Sequence, residues 1–111
     1  MSLFNAVVSK TIMYVPSPIV RFFAKDYVAG KSINDAIRVS RELSSKGVET
    51  TLDILGEYIT RKEQAIPFKE ECLKILETIK REKLDANLSV KPTQMGLLLD
   101  TEFAYENMRE I

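Results

Sequence analysis

The spacing of apolar and polar residues along the chain predicts helices that alternate with short strands. Residues 1–30 form a leader that is interrupted by Pro16 and Pro18. Within it, apolar positions at helical spacing predict a short helix over residues 19–27, and Gly30 is of a type that commonly ends a helix. We therefore expect an irregular leader that contains a short helix.

Residues 31–111 carry a stronger periodicity. Ser32 is a typical N-cap residue, and Asp35 lies in the first turn that follows, where a negative charge is favourable. The apolar stripe after Ser32 predicts a helix that ends at Gly47. The leader and this region are predicted to be separate parts of the chain.

Two strands and two further helices are predicted after Gly47. Residues 48–55 are rich in β-branched and leucine side chains and predict a first strand, and residues 87–91 predict a second. Residues 62–83 predict a long helix between them, and a final helix begins at about Thr101. The apolar stripe of the long helix consists of Phe68, Cys72, Ile75, Leu76 and Ile79.

The predicted order α-α-β-α-β-α indicates an α/β fold whose strands are parallel and joined by a right-handed crossover. We expect residues 31–111 to form the first two β/α units of a (β/α)8 TIM-type barrel, preceded by N-terminal helices in residues 1–30. A complete barrel needs about 250 residues. The predicted barrel is therefore incomplete.

The composition excludes several classes of function. Sixteen basic and sixteen acidic residues cancel, so the chain has no basic footprint for nucleic acid. There is no histidine and only Cys72 could supply a thiolate, which argues against a metal site and against serine–histidine or cysteine–histidine catalysis. Cys72 lies on an apolar stripe and is expected to be a small buried hydrophobic residue.

Two charged residues stand at the ends of the predicted strands. Asp53 and Lys91 lie 38 residues apart, with a helix between them, so they should meet at the same end of neighbouring strands. That end carries the chemistry in α/β barrels. Lys91 could attract a substrate carboxylate or could be an exposed lysine. Asp53 could accept a hydrogen bond from a substrate amine, form an ion pair with Lys91, or cap the following turn.

The residues around these charges resemble a known family. The segment TLDILGE at 51–57 and the segment NLSVKPTQMG at 87–96 resemble the first two strands of the proline dehydrogenase barrel, and YVAGK at 27–31 fits the same family. Pro92 departs from the leucine found in many members, but Lys91 stays in register.

The resemblance implies an enzyme that oxidises L-proline to pyrroline-5-carboxylate, with FAD as the hydride acceptor and a quinone as the electron acceptor. It implies that Lys91 binds the proline carboxylate and that Asp53 lies near the proline pocket. Thr93 and Gln94 belong to the same motif and are expected to orient the loop around Lys91, with a cofactor contact as the alternative. No catalytic or FAD-binding residue is assigned in this chain.

The chain is therefore expected to be an N-terminal fragment of a FAD-dependent proline dehydrogenase, inactive by itself. For the parent we expect a location in the cytoplasm or peripheral to the inner membrane, or in the mitochondrion of a eukaryote. One alternative is a non-catalytic truncated remnant that self-associates through its exposed sheet. Another is a different barrel enzyme, such as an aldolase that uses Lys91 as a Schiff base.

Overall fold

A computed structural model describes residues 3–11, 14–24, 30–56 and 58–111. The chain divides into two compact units, Met1–Lys31 and Ser32–Ile111. No helix in the described ranges is both long enough and apolar enough to span a membrane.

The first unit contains two helices in its described part. The helix α1 covers Leu3–Thr11 and α2 covers Ser17–Ala24. The expectation of an irregular leader is wrong over α1, because Leu3, Val7 and neighbouring apolar residues repeat at helical spacing without any proline. The helix α2 begins at Ser17, two residues before the predicted start at residue 19, because Pro18 is tolerated in its first turn. Its predicted end, at residues 25–27, lies outside the described residues.

The second unit opens with α3, which covers Ile33–Ser44. Ser32 and Asp35 form the N-terminal capping arrangement that the sequence predicted, with the Ser32 hydroxyl accepting from the Asp35 amide at 3.2 Å. The chain leaves the helix through Gly47, whose φ of +76° lies in the left-handed region that glycine adopts easily.

Two parallel strands follow the order that the sequence predicted. The strand β1 covers Thr50–Asp53 and β2 covers Ala86–Ser89, with Thr50 opposite Ala86 and Asp53 opposite Ser89. Both strands are shorter than predicted, since their pairing ends where the chain turns away at the carboxyl ends. In the described residues these two strands form an open sheet and not a closed barrel.

The helix α4 covers Ala65–Glu82 and connects the strands. A short 3-10 turn at Lys62–Gln64 precedes it, and Pro67 lies in its first turn, where the missing amide costs little. The last helix, α5, covers Thr101–Glu110 and is capped by Asp100. These bounds agree with the predicted helices to within a few residues.

The core lies between α4, α5 and the loop after β2. Its fully buried members are Cys72, Met95 and Ala104. Packed against them are six partly buried residues, namely Ile54, Phe68, Leu88, Val90, Met108 and Ile111. Of the predicted stripe of α4, Phe68 and Cys72 belong to this core, and Ile75 is also buried.

Candidate functional site

Asp53 and Lys91 meet at one edge of the sheet. The strands β1 and β2 are parallel, and Asp53 lies opposite Ser89. Lys91 follows Ser89 by two residues and therefore lies at the same end of the sheet as Asp53. The Lys91 Nζ atom lies 2.9 Å from Asp53 Oδ1 and 2.8 Å from Oδ2. The expectation that these two charges share one end of neighbouring strands is confirmed.

The pair remains in contact with solvent. The Lys91 side chain is 26% exposed and that of Asp53 is 38% exposed. The ammonium group also approaches the Ile54 carbonyl at 3.5 Å. A ligand could therefore reach both charges, a carboxylate binding to Lys91 and a cation to Asp53.

A tight turn follows Lys91. The backbone amide of Gln94 donates to the Lys91 carbonyl at 3.0 Å. Pro92 occupies the second position of this turn, where its fixed φ is favourable. The turn directs the chain back towards β1. Pro92, which departs from the family pattern, is thus compatible with the local backbone.

Gln94 is buried at this edge, with 1% of its surface exposed. Its Nε2 atom donates to the Ile54 carbonyl at 2.8 Å and to the Gly56 carbonyl. Both acceptors belong to the turn after β1. The sequence indicated an orienting role near Lys91, but no periodicity in a loop could identify these two carbonyls as its partners.

The loop that carries Gln94 is supported by α5. The buried Asn107 side chain donates from Nδ2 to the Met95 carbonyl at 3.0 Å. Asn107 was not singled out in the sequence. It lies three residues after Ala104 on the apolar face of α5, and a polar residue on such a face is a signal for a buried hydrogen bond.

Gly96 allows this loop to pack closely on α5. Its φ is +102°, and a Cβ atom built there would lie 2.9 Å from Phe103 Cδ1. A side chain would thus be strained both in its backbone and in its contacts.

A second ion pair joins the start of α4 to the start of α5. Lys62 donates to Asp100, whose other carboxylate oxygen accepts from the Phe103 amide at 3.0 Å. The Lys62 ammonium also lies 5.7 Å from the centre of the Phe103 ring. The hydrogen bond from Lys62, followed by that from the Phe103 amide, lowers the pKa of the Asp100 carboxyl.

A metal site formed by Cys72 and acidic residues would require several of these ligands to lie close together. In the part of the chain that the structure describes, no three potential metal ligands come together. Cys72 is fully buried, as expected. Desolvation raises the pKa of its thiol, and the negative charges of Glu71 and Asp53 raise it further.

Parallel strands joined by a helix, with polar side chains at their carboxyl ends, form the edge at which α/β proteins commonly bind ligands. No protein-family model matches the chain. Curated relatives do match it. The chain is 36% identical over 91 residues to proline dehydrogenase 2 of Bacillus subtilis subsp. natto and 37% identical over 91 residues to proline dehydrogenase 1 of the same organism.

A more distant match extends the same finding. Proline dehydrogenase of Deinococcus radiodurans is 30% identical over 73 residues. The Bacillus matches cover 82% of this chain, and the chain spans about 30% of the length of those relatives. The resemblance seen in the sequence is confirmed, and the chain belongs to the proline dehydrogenase family over the matched residues. Substrate binding by Lys91 and Asp53 stays a prediction.

Proposed function

We propose that this chain is part of a proline dehydrogenase that oxidises L-proline to pyrroline-5-carboxylate, and that it contributes part of the substrate site. Relatives with that name support the reaction class. Because the chain spans about 30% of their length, the activity is proposed for the whole protein. In it, the two β/α units would belong to a closed barrel.

The observation that carries this proposal is the Asp53–Lys91 pair. An L-amino acid has a carboxylate and a cationic amine, which match the charges of Lys91 and Asp53 respectively. Both protein groups lie at the carboxyl ends of parallel strands and remain partly exposed. Lys91 would hold the proline carboxylate, and Asp53 would orient Lys91 and receive the proline amine.

FAD is proposed as the hydride acceptor of the whole enzyme. The residues described here do not fit a flavin site by themselves. The sequence has no glycine-rich phosphate-binding motif. At the strand ends, the polar groups of Asp53, Lys91 and Gln94 contact one another or the turn after β1. We therefore assign no residue of this chain to FAD.

A quinone is proposed as the final electron acceptor, following the family resemblance. Reduction of a membrane quinone would suit an enzyme in the cytoplasm or peripheral to the inner membrane, or in the mitochondrion of a eukaryote. These statements concern the whole protein.

The gene product purified from its natural source tests this function. We expect a mass two to three times that of the 111-residue chain, a flavin absorbance spectrum, and loss of the oxidised-flavin band when L-proline is added without oxygen. The isolated 111-residue chain should be colourless and inactive. A native product of 12.6 kDa without flavin would instead favour the non-catalytic remnant. Reductive trapping of a carbonyl compound on Lys91 would favour the Schiff-base enzyme.

A further inference from the structure

We infer that Gln94 is a positioning residue for the substrate site and that its carboxamide group fixes Lys91 relative to Asp53. A carboxamide has two N–H donors and one carbonyl acceptor. The Gln94 Nε2 atom directs its donors to two backbone carbonyls of one turn, those of Ile54 and Gly56. Gln94 is 1% exposed and both bonds are partly buried, which limits competition by water.

The contacts of Gln94 close a ring around the charged pair. Ile54 follows Asp53 directly, and its carbonyl accepts from Gln94 at 2.8 Å and lies 3.5 Å from the Lys91 ammonium. Gln94 is itself joined to Lys91 by the backbone hydrogen bond of their turn, at 3.0 Å. Movement of either strand end would therefore break a partly buried hydrogen bond of Gln94.

The ring is held in place by α5. Met95 is fully buried, and its carbonyl accepts from Asn107 of α5 at 3.0 Å. Gly96 packs against Phe103 of the same helix. The position of Gln94 is thus fixed from the helix side, while its carboxamide is directed towards β1.

The N–H donors of the Gln94 side chain are therefore the groups that hold Lys91 in position. Gln94→Met keeps the length and approximate volume of the side chain but has no donor. Gln94→Glu would place a carboxylate against two carbonyl oxygens, which repel it. The control variant Thr78→Val removes another buried hydrogen bond to a backbone carbonyl, that of Lys74 within α4.

The first test is spectroscopic and uses the 111-residue chain. The sequence has two glutamines, Gln64 and Gln94, so their side-chain amide signals are easily distinguished. Gln64 uses its carbonyl oxygen as an acceptor for Thr60 and Arg61. We expect the Gln94 side-chain protons to exchange with water at least about tenfold more slowly than those of Gln64. Equal exchange rates in the folded wild-type chain would overturn the proposal whether or not any variant folds.

The variants test the link to Lys91. In Gln94→Met we expect the ¹⁵N signal of the Lys91 ammonium to shift and its proton exchange to become faster, whereas Thr78→Val should leave both unchanged. An unchanged Lys91 signal in a folded Gln94→Met chain would contradict the inference, and so would an equal change in Thr78→Val.

The functional consequence rests on the proposed function and is measured in the gene product purified intact. Gln94→Met should raise KM for L-proline roughly five- to tenfold, with kcat and flavin content nearly unchanged, because the carboxylate partner is displaced. A fall in kcat at constant KM would contradict a positioning role. If the wild-type protein does not oxidise proline, the proposed function fails, while the two spectroscopic tests still decide whether Gln94 positions Lys91.

Discussion

At the scale of single residues, the Asp53–Lys91 ion pair contributes little to folding. Its side chains are 38% and 26% exposed, and ion pairs in contact with water usually stabilise a protein by about 1 kcal/mol or less. The pair joins the last residue of β1 to a residue just beyond β2, at the edge of the sheet. Replacing either residue should therefore change stability little, which allows the proposed role in ligand binding to be tested in folded variants.

Gly96 is the residue whose replacement should damage this region most directly. In Gly96→Ala the new Cβ atom meets Phe103 and the backbone keeps a positive φ, so we expect a loss of at least about 2 kcal/mol in the free energy of unfolding. Gly47→Ala is the matched control, since its φ is also positive but no atom lies within 4 Å of the Cβ position. It should cost about 1 kcal/mol.

Urea unfolding of the two alanine variants gives the comparison. If both variants lose the same stability, close packing of Gly96 against Phe103 is not the cause. Phe103→Leu added to Gly96→Ala should restore part of the loss, because it removes the ring atoms that the Cβ meets.

At the scale of elements, the start of α5 depends on the charge of Asp100. The pKa of Asp100 is lowered by its bonds with Lys62 and the Phe103 amide. Its stabilisation is therefore fully present above the ordinary carboxyl pKa and is lost as the pH falls through the lowered value. Asp100→Asn keeps a good capping side chain but loses the charge, so the variant should be less stable than wild type at neutral pH.

This difference should disappear in acid. Urea unfolding at intervals from neutral pH to about pH 2 measures it. Glu106→Gln, an exposed carboxylate of the same helix, is the control and should not reproduce the pattern. A stability gap between wild type and Asp100→Asn that stays constant down to the acid limit would contradict the role of the charge.

The reactivity of the Cys72 thiol reports whether α4 is packed against the core. The thiol is fully buried and burial raises its pKa, so at neutral pH it is both inaccessible and protonated. We expect a thiol reagent to react slowly with the native chain and rapidly in concentrated urea. Immediate and complete reaction in buffer would show that α4 does not pack as described.

The elements themselves follow largely from local sequence signals. Ser32 and Asp35 predicted the start of α3, and the stripe through Cys72 predicted the buried face of α4. That Asp53 and Lys91 lie at the same end of neighbouring strands followed from strand order, whereas their ion pair was one of three alternatives for Asp53. These features are predictable because each depends on residues close in sequence or on the geometry of parallel strands.

Other parts of the site could not be predicted locally. Gln94 and Asn107 bind backbone carbonyls, which every residue possesses, so the sequence does not indicate their partners. The helix α1 was missed because its sequence has one charged residue, Lys10, and therefore little contrast between a polar and an apolar face. Such features depend on how distant segments pack.

At the scale of the whole molecule, the second unit exposes apolar residues near the candidate site. Leu55 is 80% exposed and Leu98 is 83% exposed, and the described sheet has only two strands. The isolated chain should therefore self-associate as its concentration rises. Light scattering after size exclusion measures the mass, and Leu98→Asp should lower it towards that of a monomer. If the chain remains a monomer at all concentrations, the exposed surface at Leu55 and Leu98 does not drive self-association.

The account as a whole depends on Lys91 as the ligand of the substrate carboxylate. The most direct test is an anaerobic titration of the intact gene product with L-proline, followed by flavin absorbance. Lys91→Met should raise the half-reducing proline concentration roughly 10- to 100-fold without loss of flavin. Lys69→Met, which breaks an ion pair with Glu110 away from the strand ends, should have no such effect. Equal titration curves for wild type and Lys91→Met would contradict the assignment.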